Sequence, residues 1–183
     1  MNVQIQLINS LDSIDFAALF LASYTRIDKN FLWPATISTY EQKEQYYYNQ
    51  LQSAVNGTWP LKEATDTFIM IVTKVDDVVA EFAAGYLGID GYVALRWNLT
   101  ADLGPDGSRN WRYTPEADTA RRQFTQQIGA IGYREFTWVG SLLYKTIKAR
   151  LQSGRFELDE IPFDSSKVYD PNRQPVELRT RFI

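Results

Sequence analysis

Cysteine and histidine are both missing from this 183-residue chain. Without cysteine there is no disulfide, no thiolate nucleophile and no thiolate metal site. Without histidine the chain lacks the usual base near neutral pH and the commonest metal ligand. Acid–base chemistry must therefore run through carboxylates, tyrosine, lysine, the backbone or water, and no metal is expected. Long apolar runs are missing too. The longest, Phe16 to Ala22, falls far short of the ~20 residues that cross a bilayer. Residues 1–5 carry no basic segment and no small-residue cleavage site follows, so the chain reads as cytoplasmic, whether cellular or made for a phage virion. No membrane partner is expected.

A basic excess is also lacking: 19 Lys and Arg stand against 22 Asp and Glu, for a formal net charge of −3. That excludes a general nucleic-acid coat and leaves room for a local basic site. What the chain has in quantity is apolar: 45% of residues are hydrophobic and 14% aromatic. This is ample for a packed core, and the length favours a single domain over residues 1–183.

Val3, Ile5 and Leu7 alternate with glutamines, the period of a half-buried strand. Ile14, Ala17, Ala18, Leu21 and Tyr24 follow at helical spacing, which predicts a helix over 14–26. Ser38 with Glu41, and Thr39 with Gln42, form two overlapping capping boxes ahead of a second helix from about Tyr40 to Val55. Tyr46, Tyr47 and Tyr48 cannot all point inward there, and the outward ones suit a partner contact or simply the rim of the core. Residues 68–72, 78–87 and 92–97 are three strand-like runs separated by Asp76-Asp77 and Gly88–Gly91, which predicts an antiparallel meander. Residues 103–108 read as a loop. Thr114-Pro115-Glu116 is a strong helix start, and Ala117, Ala120, Phe124 and Ile128 form that helix's inner stripe. A strand over 133–139, a helix over 141–152, a strand over 155–161, a loop over 164–175 and a last strand over 176–183 complete the chain.

The loop before Pro115 holds Gly104, Gly107 and Ser108, followed by Arg109 and Arg112, with Arg121 and Arg122 further along the helix. A helix N-terminus with free N–H groups and nearby Arg suits phosphate, and the same residues suit a surface loop and a solvated helix face. Glu81, set by period two on the face opposite Ala80 and Phe82, suits a general base or a plain solvent-facing residue, and Asp102 is the alternative base. Trp97 and Trp111 suit either a ligand wall or the core.

The order β-α-α-β-β-β-α-β-α-β-β, with its central meander and helix-start loop, resembles the GNAT family of N-acetyltransferases over nearly the whole chain. The resemblance implies an α/β fold: a mixed, mostly antiparallel sheet with helices on both faces. It implies that the strands over 92–100 and 133–139 splay apart, and that acetyl-CoA lies between them with its pyrophosphate at Pro115. Leu99, Gly104, Gly107, Ser108, Arg109, Arg112 and Arg121 would then bind cofactor. Glu81, Asp102 and Tyr144 would be catalytic, Tyr144 as acid to the leaving thiolate. The implied reaction is acetyl transfer to an amine on a small molecule or protein. The sequence departs from the family pattern: Gly104 and Gly107 are wrongly spaced for the phosphate loop, Ser141 stands where an Asn is usual, and Tyr144 comes about one turn early. A non-catalytic assembly protein, homodimeric or with a partner, and a nucleic-acid-modifying relative are therefore the competing expectations.

Overall fold

Alternating Val3, Ile5 and Leu7 form strand β1 (Val3–Ile8). A 3-10 turn at Leu11–Ser13 follows, where the Asp12 N–H donates to the Ser10 hydroxyl. Helix α1 (Phe16–Asn30) begins after that turn, with Asp15 accepting from the Ala18 N–H as its cap. Periodicity alone starts this helix at Ile14 and turns Leu21 inward. Instead Leu19, Phe20, Ser23 and Ile27 are buried, and Leu21 is 66% exposed. The Asp15 cap fixes the helix phase, and residues 16, 20, 23 and 27 then share one face.

Helix α2 (Tyr40–Val55) uses the Thr39–Gln42 capping box: the Gln42 N–H donates to Thr39, and Gln42 accepts from the Thr39 N–H. Its inner face is Tyr47, Leu51 and Ala54. Tyr46 and Tyr48 are half-buried and pack edge-on against Phe31 and Phe16 respectively. Strands β2 (Thr67–Val75) and β3 (Val78–Leu87) are joined by Asp76 and Asp77, both at positive φ, 47° and 65°. That backbone matches the twist of a tight hairpin. Strand β4 (Tyr92–Thr100) completes the meander. Helix α3 (Pro115–Gln127), strand β5 (Gly132–Trp138), helix α4 (Leu142–Leu151), strand β6 (Phe156–Pro162) and strand β7 (Pro175–Phe182) follow. The computed structural model describes residues 1–31, 33–60, 65–100, 111–151, 156–162 and 174–182.

The strands form one seven-stranded sheet in the order β1-β2-β3-β4-β5-β7-β6, in which β4 and β5 are the parallel pair. Helices α1 and α2 cover one face: Phe20, Tyr47 and Leu51 meet Val72, Phe82, Ala84, Tyr86, Trp97 and Leu99. On the other face Phe124 of α3 packs on Ile71 and Ala83, and Ile147 of α4 on Val176 and Leu178. The mixed sheet with helices on both faces is thus as expected. Trp97 and Trp111, at 2% and 1% exposure, belong to the core and not to a ligand wall. Among the described residues no helix is long and apolar enough to cross a membrane.

Candidate functional site

Strands β4 and β5 pair over three positions: Tyr92 with Gly132, Val93 with Tyr133 and Ala94 with Arg134. Beyond these, β4 runs on to Thr100 and β5 to Trp138 without pairing to each other. The cause is local. Ala84 of β3 stands opposite Trp97 while Gly85 stands opposite Leu95, so Arg96 is a bulged residue with no partner position. A bulge bends and over-twists its strand. Gly85 permits the close approach this needs, because a Cβ there would lie 2.1 Å from the Ala94 carbonyl oxygen. The gap opens at the carboxyl ends of two parallel strands, where open α/β sheets take ligands.

At the start of the gap the Arg96 guanidinium lies 4.5 Å from the Phe136 ring centroid on β5 and 6.0 Å from that of Trp59. Its pKa is lowered, first by burial and then by the Arg134 charge, with Asp66 and Glu177 acting in the opposite sense. The residue as a whole is exposed. The two rings lie over the guanidinium, and the residue still reaches solvent. Next to it, Glu177 of β7 is 6% exposed. Its carboxylate accepts from Arg134 at 2.8 Å and from Arg179 at 2.7 Å.

The free edge of β4 carries polar groups of its own. In an antiparallel ladder the N–H and C=O of successive residues point alternately to the two sides. The Asn98 N–H donates to the Tyr47 hydroxyl at 2.9 Å, and Arg26 of α1 donates to the Thr100 carbonyl at 3.2 Å. Asn98 and Thr100 therefore direct their backbone groups away from β3, into the gap, and α1 and α2 already engage one group of each. Leu99 lies between them with its side chain fully buried.

Glu81 of β3 stands opposite Thr100. It accepts from the Thr100 hydroxyl at 2.9 Å and the Thr73 hydroxyl at 3.1 Å. The Thr100 hydroxyl also meets the Asn98 side chain, which accepts from Arg26 at 3.3 Å. A hydrogen-bonded chain thus crosses the end of β4 from Glu81 to Arg26. Glu81 and Leu99 are brought together here, and among the described residues Tyr144 and Arg121 find hydrogen-bond partners elsewhere. Tyr144 of α4 directs its hydroxyl to Glu160 on β6, two strands beyond β5, at 3.3 Å. Ser141 is buried and accepts from the Tyr144 N–H, capping α4. Arg121 donates to the Arg112 carbonyl at 2.6 Å and pairs with Asp118 at 3.5 Å. Asp102, Gly104, Gly107, Ser108 and Arg109 lie outside the described residues. At the start of α3, Pro115 brings no N–H, and Thr114 accepts from the Ala117 N–H. Among the described residues no group of three acidic side chains could hold a metal. A 290 Å³ cavity lined by Asn2, Val3, Pro115 and Gln123 lies where α3 meets β1, away from the gap.

Sequence reasoning missed Arg96, Phe136, Arg134 and Glu177. The available signal was an arginine or glutamate inside otherwise apolar strand runs, at 96, 134 and 177, where a charge must find a partner or a ligand.

The sequence matches no family profile. It matches no curated protein either. Solved structures are similar throughout. A ribosomal-protein α-N-acetyltransferase in complex with coenzyme A shares 11% identity at a TM-score of 0.56, covering 98% of this chain and 94% of that one. An acetyltransferase from Salmonella typhimurium that modifies the N-terminal serine of a 50S ribosomal protein shares 9% at 0.58, covering 100% and 96%. A ribosomal-protein-alanine N-acetyltransferase from Escherichia coli shares 10% at 0.51, covering 99% and 94%. The chain has the GNAT fold, in a divergent form.

Proposed function

We propose that the chain binds a coenzyme A thioester in the β4–β5 gap and transfers its acyl group to an amine. The observation that carries this reading is the end of β4–β5 pairing at Ala94 and Arg134, within a fold shared with a coenzyme A complex. An extended amide-bearing arm fits such an edge, because the Asn98 C=O and Thr100 N–H point into the gap. Bound there, the thioester supplies an activated carbonyl. The chain's part is to align the arm, polarise the carbonyl through backbone N–H and accept the amine's proton. Glu81, reached through the Thr100 hydroxyl, offers a destination for that proton without histidine. Tyr144, held at Glu160, is left out of this path, and water protonates the departing thiolate.

A second reading is a non-catalytic assembly protein built on the same fold. One observation favours it: Tyr47 and Arg26 already occupy two of the four backbone groups on the β4 edge. A thiol-release assay with acetyl-CoA and a panel of amines separates the two. The chain has no cysteine, so any thiol is released coenzyme. Amine-dependent release supports the enzyme. No release with any amine, together with a defined oligomer, supports the assembly protein.

A further inference from the structure

Three guanidiniums, of Arg96, Arg134 and Arg179, surround the start of the gap on the α1/α2 side of the sheet. Two are engaged by carboxylates. Arg134 is held by Glu177 at 2.8 Å and approaches Asp90 at 3.6 Å, and Arg179 is held by Glu177 at 2.7 Å. Arg96 lies against the Phe136 and Trp59 rings and makes no hydrogen bond or ion pair among the described residues. A guanidinium fixed against ring faces keeps its N–H edge free and pre-oriented, which suits bidentate capture of an anion.

A second polar group shares this place. Trp59 stacks on Tyr86, with centroids 5.6 Å apart and planes 8° from parallel. Tyr86 is 3% exposed, and its hydroxyl has no hydrogen-bond partner among the described residues. Buried hydroxyls without a partner are exceptions that call for an explanation. Burial first, and the Asp66 charge second, raise the Tyr86 pKa while Arg96 lowers it, so the phenol keeps its proton at neutral pH. The Arg96 guanidinium and the Tyr86 ring thus both meet the Trp59 indole, and neither the guanidinium nor the Tyr86 hydroxyl has an acceptor oxygen among the described residues.

We infer that Arg96, held at the indole on which Tyr86 stacks, binds a carboxylate or phosphate on the acceptor, so the acceptor is an amine that also bears a negative charge. Describing the ligand as an acceptor rests on the acyl-transfer reading; the anion site itself does not. Arg96 stands two residues past the last paired residue of β4. An anion held there leaves the amine end of a short molecule at the start of the gap, against the thioester arm. Glu177 cannot take the anion's place, because its carboxylate already serves two guanidiniums.

The test uses the whole protein without coenzyme. Arginine Nε–H resonances are followed by NMR during titration with phosphoethanolamine, β-alanine and ethanolamine. The Arg96 signal is expected to shift saturably with one or both anionic amines, at least about tenfold more tightly than with ethanolamine. The tighter of the two tells phosphate from carboxylate. Arg96→Gln is expected to weaken that binding about tenfold. Equal response to all three amines, or unchanged binding by Arg96→Gln, overturns the inference. The three-amine comparison on the wild type stands even if the variant does not fold. Coenzyme binding is measured separately. Anion binding without coenzyme binding would sink the acyl-transfer reading alone, and the reverse result would sink the anion site alone.

Discussion

The Tyr47 hydroxyl of α2 accepts the backbone N–H of Asn98 in β4 at 2.9 Å, across the free edge of that strand. Tyr47 is 3% exposed, so the N–H it satisfies has little access to water. Tyr47→Phe keeps the ring packing against Phe20 and removes the acceptor. A donor left unsatisfied in this way costs about 1–3 kcal/mol. Urea denaturation should show that loss with an unchanged slope. No loss would mean that water already serves the strand edge.

The same tyrosine sets an alkaline limit on stability. Its pKa is raised well above the ordinary value of about 10, chiefly by burial. Below pH 10 folded and unfolded chains both hold the proton, so stability does not depend on it. Above about pH 10 the unfolded chain releases a proton that the folded chain keeps, and stability falls until the folded value is passed. No histidine titrates near neutrality. The expected profile has no histidine step between about pH 6 and 8, then falls above about pH 10. Tyr47 contributes up to about 1.4 kcal/mol per pH unit. Tyr47→Phe should make the alkaline decline shallower, which urea midpoints across the pH range would reveal.

Glu177 holds Arg134 and Arg179 together across β5 and β7. Its side chain is 8% exposed, while the two arginines keep 28% and 29%. Glu177→Gln leaves two guanidiniums with no shared counter-charge. Fully buried pairs cost about 3–5 kcal/mol to break. With both arginines partly in water, about 2–3 kcal/mol is expected here. Thermal unfolding at low and high salt checks it: the loss should shrink as salt screens the repulsion.

Gly85 is where the meander and the gap are geometrically coupled. A Cβ at this position would meet the Ala94 carbonyl oxygen at 2.1 Å and the Leu95 Cα at 2.8 Å, both backbone atoms that cannot rotate away. Gly85→Ala must push β4 off β3 beside the Arg96 bulge. Severe destabilisation is expected. A variant as stable as the parent would show that the bulge is not held by this close approach.

The strands and helices were legible because their signals are local. The alternation at Val3–Leu7, the Thr39–Gln42 box, the Asp76-Asp77 turn and Thr114-Pro115 each act within a few residues, and each appears in the structure. The phase of α1 was not legible, because a short 3-10 turn shifts its start and thereby turns Leu21 outward. The site was legible only in outline. Glu81 and Leu99 could be picked out of strand runs, but the Arg96 bulge depends on which residue of β3 stands opposite Trp97, a pairing between distant segments. Tyr144 looked suited to chemistry by its helix alone. Its hydroxyl goes to Glu160 because α4 lies over β6 as well as β5.

Calorimetric titration of the intact protein with acetyl-CoA bears most directly on the β4–β5 gap. Saturable binding of one coenzyme per chain is expected. Tyr47 and Arg26 stay in place as the coenzyme uses the Asn98 C=O and Thr100 N–H, so Tyr47→Phe should change the affinity less than threefold, under about 0.7 kcal/mol. No heat and no rise in melting temperature at millimolar acetyl-CoA would contradict it, because a ligand that binds the folded state must stabilise it.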